Sequence, residues 1–455
     1  IQIGDLTSTG FAQLTAGGDV TVTGTLDTGT SATVTAANLV DIATAVADTT
    51  LTITATSGSL ALQSGTAANA LSLTSGTGME LGTITSNTST VTLTAGGDIT
   101  GANGFTNNAA QRPDLQAATG ITVTAGGAVE LDQAITSAGN LAVTAGSLTS
   151  DGAIDINNAQ ATAGSIQLAA TATGTPADAE HDGTVRVGTA NAGTTLTLSN
   201  VLFGGTIGDV VVGTSAIAGT DAFFDAADNA RIESATAAGT IAVRAGDAIS
   251  GSALNTPAAL TAGEDLALKS GTDIDLGSAS AGDDLIIESS TSIAVGALSA
   301  AGTGPDSRSV SFANASQIAI VGSEPNSGAS IVVRSSGGSV DATGQLNATG
   351  SVTIDAADNA TVSGGVQAGI NYTVLAVNDI TLGGNGPVTQ NANGAVAITS
   401  SSGQVSDASG ALTLRANADG LGAEALSITA PDGIQITQAT LFGGNGGKQS
   451  DVLLT

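Results

Sequence analysis

Several residue types that carry chemistry are missing or rare in this 455-residue sequence. It has no cysteine and no tryptophan, and it has one histidine, His181, and one tyrosine, Tyr372. The absence of cysteine excludes disulfides, thiolate metal sites and cysteine nucleophiles. A single histidine without a Gly-x-Ser-x-Gly elbow gives no basis for a Ser-His-Asp triad. We therefore expect a protein that is not an enzyme.

Basic residues are also scarce. Nine Lys and Arg residues stand against 39 Asp and Glu residues, which gives a formal net charge of −30. Such a surface repels phosphate backbones and anionic lipid headgroups, so we expect neither a nucleic-acid partner nor membrane insertion. No apolar run approaches the roughly 18 residues that a transmembrane helix needs.

The sequence does contain many small residues, arranged in short alternating runs. There are 63 glycines, and the hydrophobic fraction of 41% is too high for a disordered acidic chain. Phrases such as Val-Thr-Leu-Thr place Val, Ile or Leu on one face and Thr or Ser on the other, which is typical of half-buried strands. These phrases recur along the chain at 20–23, 51–54, 71–74, 91–94, 121–124, 196–199, 352–355 and 412–415.

Many runs end in a turn built on Ala-Gly, where glycine permits the positive φ that tight turns use. The spacing between these turns varies, since the interval from Gly126 to Gly146 is longer than the interval from Gly246 to Gly263. A repeat of strands and turns of about 17–20 residues predicts one coil of an all-β solenoid. About 23 such coils, stacked at the strand spacing of about 4.8 Å, would form an elongated rod of about 110 Å.

Lapses in the repeat predict lateral loops. We expect them near 101–120, 171–183, 219–229, 302–308 and 322–329, where prolines, His181 or the pair Phe223-Phe224 interrupt the strand pattern. No shift in composition marks a domain boundary. We therefore expect one continuous β-solenoid stalk over residues 1–455.

One phrase, Val91-Thr92-Leu93-Thr94-Ala95-Gly96-Gly97-Asp98-Ile99-Thr100, repeats with drift over nearly the whole chain. In this respect the sequence resembles the passengers of filamentous-haemagglutinin-like bacterial adhesins, which are exoproteins of two-partner secretion, and their autotransporter relatives. The resemblance implies a right-handed parallel β-helix and export through an outer-membrane transporter. The family's export domain carries Asn-Pro motifs, and since no proline here follows asparagine, the resemblance implies a stalk segment.

The same resemblance implies an extracellular role at a Gram-negative cell surface. We expect a structural or adhesive stalk of an adhesin or biofilm matrix, which self-associates or binds a host or matrix receptor and requires no cofactor. An alternative is a calcium-dependent surface-layer or matrix-forming protein of similar composition. A more remote alternative is a polysaccharide-cleaving β-helix, although the aromatic and basic residues that usually line such clefts are scarce here.

Two other features have ordinary structural interpretations. His181 lies between Glu180 and Asp182, whose side chains point away from it in an extended chain, so we expect a solvated loop histidine. The Thr-x-Thr rows are similar to the threonine ladders of ice-binding β-helices. Their interruptions and the varying coil length favour ordinary outward-facing threonine instead, since threonine has a high β propensity.

The acidic turns are the candidate ion site. Alignment on the Ala-Gly turns places Asp247, Glu264 and Asp283 in one column and Asp265 and Asp284 in the next. Charges about one strand spacing apart repel by roughly 1 kcal/mol even in water. Calcium prefers several carboxylate and carbonyl oxygens and would relieve this repulsion. We expect these five residues to be either calcium ligands or part of a solvated acidic face.

Overall fold

The computed structural model describes residues 1–101, 104, 111–147, 149–173, 181–202, 204–251, 257–302, 309–311, 317–319, 328–384, 386–408, 411–416, 425–436, 439–443 and 452–455. The chain divides into two compact units, Ile1–Asp228 (unit 1) and Asn229–Thr455 (unit 2). Continuity as one stalk stays a prediction. The described residues contain no α-helix, and hence no helix that could cross a membrane.

Unit 1 is a parallel β-helix, as the sequence predicts, with two all-parallel sheets. Its sheet A contains Gln2–Ile3, Leu6–Ser8, Val20–Thr28, Val40–Ala47, Leu60–Ala67, Met79–Ser86, Ile99–Thr100, Asp114–Ala117, Val129–Thr136, Ile154–Ala161, Val185–Ala192 and Val210–Ala218. Its sheet B contains Ala12–Ala16, Ala32–Ala36, Leu51–Ala55, Leu71–Ser75, Thr90–Ala95, Gly120–Ala125, Leu141–Ala145, Ile166–Ala170, Leu196–Ser199 and Ala222–Ala226.

Unit 2 has the same architecture. Its sheet A contains Ala230–Ile232, Ser234–Ala237, Ile249–Ser250, Ala258–Ala262, Ile274–Ala281, Ile293–Ala300, Val340–Ala342, Leu346–Ala348, Ala360–Val362, Val366–Ala368, Ile380–Leu382, Val388–Ala392, Val405–Asp407, Leu412–Ala416, Ile434–Gln435 and Ala439–Gly443. Its sheet B contains Ile241–Ala245, Leu266–Ser270, Leu285–Ser289, Ile331–Ser335, Val352–Ala356, Tyr372–Ala376, Val396–Ser400, Leu426–Thr429 and Val452–Leu454. Ser309–Ser311 and Gln317–Ala319 form a separate antiparallel pair.

One coil of unit 1 shows how the residue pattern produces this fold. In Val40–Ala47, the residues Val40, Ile42, Ala45 and Ala47 are buried. Two outward residues separate Ile42 from Ala45, so the alternation slips by one residue and the strand turns a corner. Leu51–Ala55 then alternates without a slip. Each such coil has three inward-facing segments, and together they enclose a narrow aliphatic core.

Successive coils stack like residue on like residue. Val40 pairs with Leu60 of the next coil, and Leu60 pairs with Met79 of the coil after that. The interval from Gly246 to Gly263 is short because these two turns lie at different corners of the coil. Gly246 follows a sheet B strand, whereas Gly263 follows a sheet A strand. The described residues hold ten sheet B strands in unit 1 and nine in unit 2. Each coil contributes one sheet B strand, so the described residues form fewer coils than the expected 23. The number is smaller because extra residues lengthen many coils.

Close stacking of the turns explains the glycines better than positive φ does. Among the described glycines with positive φ, none belongs to the Gly96-Gly97 or Gly126-Gly127 turns. A Cβ atom on Gly96 would lie 2.2 Å from the carbonyl oxygen of Gly76, and one on Gly126 would lie 2.1 Å from that of Gly96. Such contacts are too short for a side chain, so the turn requires glycine where one coil rests on the next.

The extra residues of unit 1 lie outside the sheet B strands. Examples occur between Thr100 and Asp114 and between Ala170 and Val185, which overlap the loops expected near 101–120 and 171–183. The expected span 101–120 is too long, because Asp114–Ala117 is a sheet A strand. The loop expected near 219–229 is wrong, because Ala222–Ala226 is a sheet B strand. Most of the loops expected near 302–308 and 322–329, namely 303–308 and 322–327, lie outside the described residues.

Phe224 shows why that loop was expected wrongly. Its ring is fully buried and is stacked on Leu198 in the sheet B ladder. The aromatic pair interrupts the aliphatic pattern in the sequence, but one of its two rings simply fills a core position. Phe223 is at the neighbouring outward position, paired with Thr197.

The aliphatic core makes a direct prediction about Val123, which is 1% exposed and is paired with Leu93 and Val143. Val123→Asp should lower the free energy of unfolding by about 3–5 kcal/mol, because it buries a charge without a partner. The matched control Thr122→Asp adds the same charge on the outward face and should cost less than about 1 kcal/mol. Denaturant unfolding followed by circular dichroism measures both. Equal stability of the two variants would contradict this register.

Candidate functional site

The five acidic residues expected to bind an ion do not form a single site. Asp247 lies in a turn that leads from sheet B to sheet A, and its carbonyl oxygen accepts a hydrogen bond from Thr272 N–H at 3.1 Å. Glu264 and Asp283 lie in the opposite turns, which lead from sheet A to sheet B. The expected column of Asp247, Glu264 and Asp283 is therefore wrong at Asp247. The sequence could not separate the two turns, since both begin with Ala-Gly.

The remaining four residues do stack as expected, but the carboxylates of Asp265 and Asp284 accept hydrogen bonds from backbone N–H groups. Asp283 N–H donates to the Glu264 carbonyl at 3.0 Å, and Leu266 N–H donates to the Asp284 carbonyl at 2.9 Å. Asp265 Oδ1 accepts a hydrogen bond from Asp284 N–H at 3.3 Å. Both of these aspartates are only 3% exposed. Their charge therefore faces the backbone of the next coil and is shielded from solvent.

This arrangement recurs at the residue just before a strand throughout both units. The side-chain oxygen of an Asp or Asn accepts a hydrogen bond from the backbone N–H of the residue at the same position in the next coil. Examples are Asp98 to Ala128 at 2.9 Å, Asn140 to Ser165 at 3.0 Å, Asp273 to Ser292 at 3.1 Å, Asn371 to Ala395 at 2.9 Å, and Asp379 to Gln404 at 2.9 Å. Asn serves as well as Asp, so the position selects an acceptor oxygen and not a charge.

The geometry of the described acidic residues also bears on calcium. Across the part of the chain that the structure describes, no three His, Asp or Glu side chains come together in a group that could hold a metal ion. Asp247, Glu264, Asp265, Asp283 and Asp284 are all described residues. What these turns provide is a ladder of backbone hydrogen bonds.

A charged cluster that the sequence did not predict lies on the outer face of sheet A in unit 1. Arg112, at the end of the extra residues after Thr100, reaches across two strands to Glu130 at 2.9 Å and Asp155 at 3.0 Å. The Arg112 and Glu130 side chains are only 4% and 5% exposed. Arg186 also approaches Asp155, at 3.8 Å. Arg112 thus joins the residues just before Asp114–Ala117 to two later coils.

Asp114 lies beside this cluster. Burial raises the pKa of its carboxyl group, and the nearby negative charge of Asp132 raises that pKa further. Within the described residues, Asp114 Oδ1 is buried without a hydrogen-bond partner. Asp132 instead accepts a hydrogen bond from the Asn157 side chain at 2.8 Å. The ionised form of Asp114 is therefore disfavoured in the folded protein.

His181 is not the solvated loop residue that the sequence suggested. Its Nε2 lies 3.0 Å from Oδ1 of Asp98, and the His181 side chain is 23% exposed. The same Asp98 oxygen accepts the N–H of Ala128 from the next coil. The contact joins residues 83 positions apart and ties the extra residues before Val185 to an earlier coil.

Sheet B of unit 2 carries a ladder of opposite charges on its outer face. Lys269, Glu288, Arg334 and Asp355 occupy one outward column on four successive strands. Glu288 lies 3.7 Å from Lys269 and 3.8 Å from Arg334, and Arg334 lies 3.2 Å from Asp355. The two cations of this ladder therefore serve to join coils, as Arg112 does in unit 1.

The single tyrosine provides no surface for a sugar ring. Tyr372 is fully buried, and its hydroxyl donates a hydrogen bond to Gln390 Oε1 at 3.2 Å. The Gln390 side-chain amide in turn donates to the carbonyl of Val362 at 2.9 Å. Burial raises the pKa of the Tyr372 hydroxyl well above its usual range. The pair is a polar contact within the core of unit 2.

The raised pKa of Asp114 leads to a prediction about how stability depends on pH. Asp114→Asn should stabilise the protein at neutral pH, because it removes a buried charge that Asp132 repels. The folded-state pKa is raised, so this gain is full above that pKa and disappears as the pH falls to the ordinary value of 3.8. Melting temperatures of both proteins across this pH range measure it. A gain independent of pH would contradict the assignment, and the exposed control Asp41→Asn should show little gain at any pH.

Comparisons with known proteins assign no family to this chain. No protein-family model matches it, and neither a curated protein nor a solved structure does. The functional interpretation therefore depends on the geometry of its own residues.

Proposed function

We propose that this chain is a non-catalytic stalk segment of an extracellular structural or adhesive protein at a Gram-negative cell surface. The observation that carries the proposal is the in-register stacking of coils around a continuous aliphatic core in each unit. Such stacking makes a stiff scaffold in which each repeat is supported mainly by its neighbours. A spacer or matrix element needs this property.

The polar side chains support the same role. Arg112 with Glu130, His181 with Asp98, and the Lys269–Asp355 column all join one coil or loop to another. A hydrolytic site would instead hold an acid, a base and a nucleophile around one open cleft. In this proposal, an outer-membrane transporter exports the chain, and the exposed stalk then binds a matrix or receptor surface or another stalk.

Beads coated with the folded chain test the adhesive role. We expect them to be retained on at least one of three probes, namely glass, immobilised mucin, or a surface coated with the same chain. Beads coated with an unrelated acidic protein at equal density are the control, since they carry the charge without the β-helical surface. Retention equal to that of the control on all three probes would contradict the adhesive part of the proposal.

The non-catalytic part has its own measurement. The purified chain should release no more product from polygalacturonate or alginate than buffer does. Cleavage that persists through repurification and disappears when one acidic residue is replaced would overturn this part, whatever the bead experiment shows.

A further inference from the structure

The outer face of sheet B in unit 1 has an unusually regular composition. Two outward columns run along its first seven strands, at the second and fourth positions of the alternation. One column is threonine at all seven positions, and the other holds four threonines and one serine. We call this surface the threonine face; its residues are Thr15, Thr35, Thr54, Thr74, Thr94, Thr124 and Thr144 in one column and Gln13, Thr33, Thr52, Ser72, Thr92, Thr122 and Ala142 in the other.

The face is continuous, although the sequence suggests interruptions. All seven strands pair residue for residue, without a register shift. The coil from Val91 to Ile121 is longer than the coil from Leu71 to Val91, but its extra residues leave the ladder at Thr100 and return at Asp114, which are both in sheet A. The variation in coil length therefore does not disturb the threonine face.

The backbone sets a two-dimensional spacing for these side chains. Neighbouring strands lie about 4.8 Å apart, and alternate residues of one strand lie about 6.6 Å apart. Seven strands extend the array to about 29 Å in the stacking direction. Threonine is β-branched and has few χ1 rotamers in a strand, so each hydroxyl and methyl group has a restricted orientation. The result is a preorganised lattice of alternating polar and apolar groups.

The face also differs from the rest of the molecule in charge. Its seven strands contain no charged residue, although the chain has 39 Asp and Glu residues. The outer face of sheet A in the same coils carries Asp27, Asp41 and Glu80. In unit 2, the outer face of sheet B carries the Lys269–Asp355 charge ladder. The neutrality of the threonine face is therefore not a general consequence of the fold.

We propose that the threonine face binds ice. Hexagonal ice presents water oxygens in two-dimensional lattices whose repeats have the same scale as the two spacings of this array. Hydroxyl groups in register can join such a lattice, and the methyl groups between them order the intervening water. Charged groups hold their own hydration shells and would interrupt the lattice; the face has none.

The composition of the face favours this occupant over other partners. The cores of protein interfaces are enriched in aromatic residues, Met and Arg, and the seven strands contain none of these. Sugar-binding surfaces commonly stack rings on aromatic side chains, which this face also lacks. Within the described residues, the hydroxyls of the threonine column from Thr15 to Thr144 make no hydrogen bond to the protein and so remain available to water.

Slow growth of ice in a solution of the purified full chain tests the inference. The wild-type chain should enter the ice, whereas an uncharged non-binding protein is excluded, and it should also slow the recrystallisation of ice. The double variant Thr74→Lys, Thr94→Lys should lose both effects, because it places two charges side by side at the centre of the array. Thr74→Val with Thr94→Val keeps the methyl groups and should lose only part of the effect.

The matched control is Thr66→Lys with Thr85→Lys, which places the same two charges on paired outward positions of sheet A in neighbouring coils. It should enter ice as the wild type does. Exclusion of the folded wild type from ice, or equal losses in the two Lys pairs, would overturn the inference. Dimerisation of the wild type that is lost in Thr74→Lys with Thr94→Lys but kept in Thr66→Lys with Thr85→Lys would also overturn the inference. Such a result would show that the threonine face binds a second copy of the chain. None of these outcomes depends on the adhesive role.

Discussion

Every part of this structure depends on one constraint, which is that each coil rests on the preceding one at the spacing of hydrogen-bonded parallel strands. A residue is therefore selected by the residue at the same position in the neighbouring coil. Inward positions accept the aliphatic side chains that fill a narrow core, as with Val40, Leu60 and Met79. Turn positions accept glycine where a Cβ atom would meet the carbonyl oxygen of the coil beside it, as at Gly96.

The same constraint explains why so acidic a chain can fold. Stacking would place like charges about 4.8 Å apart if a column were uniformly acidic. The structure instead uses carboxylates such as Asp379 as acceptors for the backbone N–H groups of the next coil. It also sets Glu288 between Lys269 and Arg334 in one column, where opposite charges attract. A hydrogen bond to a backbone N–H group stabilises a carboxylate without any bound cation.

The sequence predicted the features that repeat along the chain. The period-2 runs identified the strands, and the regular recurrence of strand and turn phrases identified the parallel β-helix. Features that break the local pattern were missed: Phe224 was expected in a loop but fills the core position above Leu198. Asp247 was placed in the wrong column, because the two turns of a coil share the same Ala-Gly phrase.

Contacts between distant residues could not be predicted from spacing at all. Arg112 and Asp155 are 43 residues apart, and His181 and Asp98 are 83 residues apart. Each pair joins a loop of irregular length to a regular coil, so no period relates its members. Regular stacking is visible in the sequence, whereas the attachments of the loops appear only in three dimensions.

The coil is the structural unit of this fold. Excision of residues 40–59 removes one complete coil, because Val20 pairs with Val40 and Val40 pairs with Leu60. Excision of residues 40–49 removes half a coil and would bring a sheet B strand onto a sheet A strand. We expect the whole-coil deletion to unfold cooperatively near the wild-type melting temperature and the half-coil deletion to be severely destabilised. Equal melting temperatures of the two deletions would contradict this expectation.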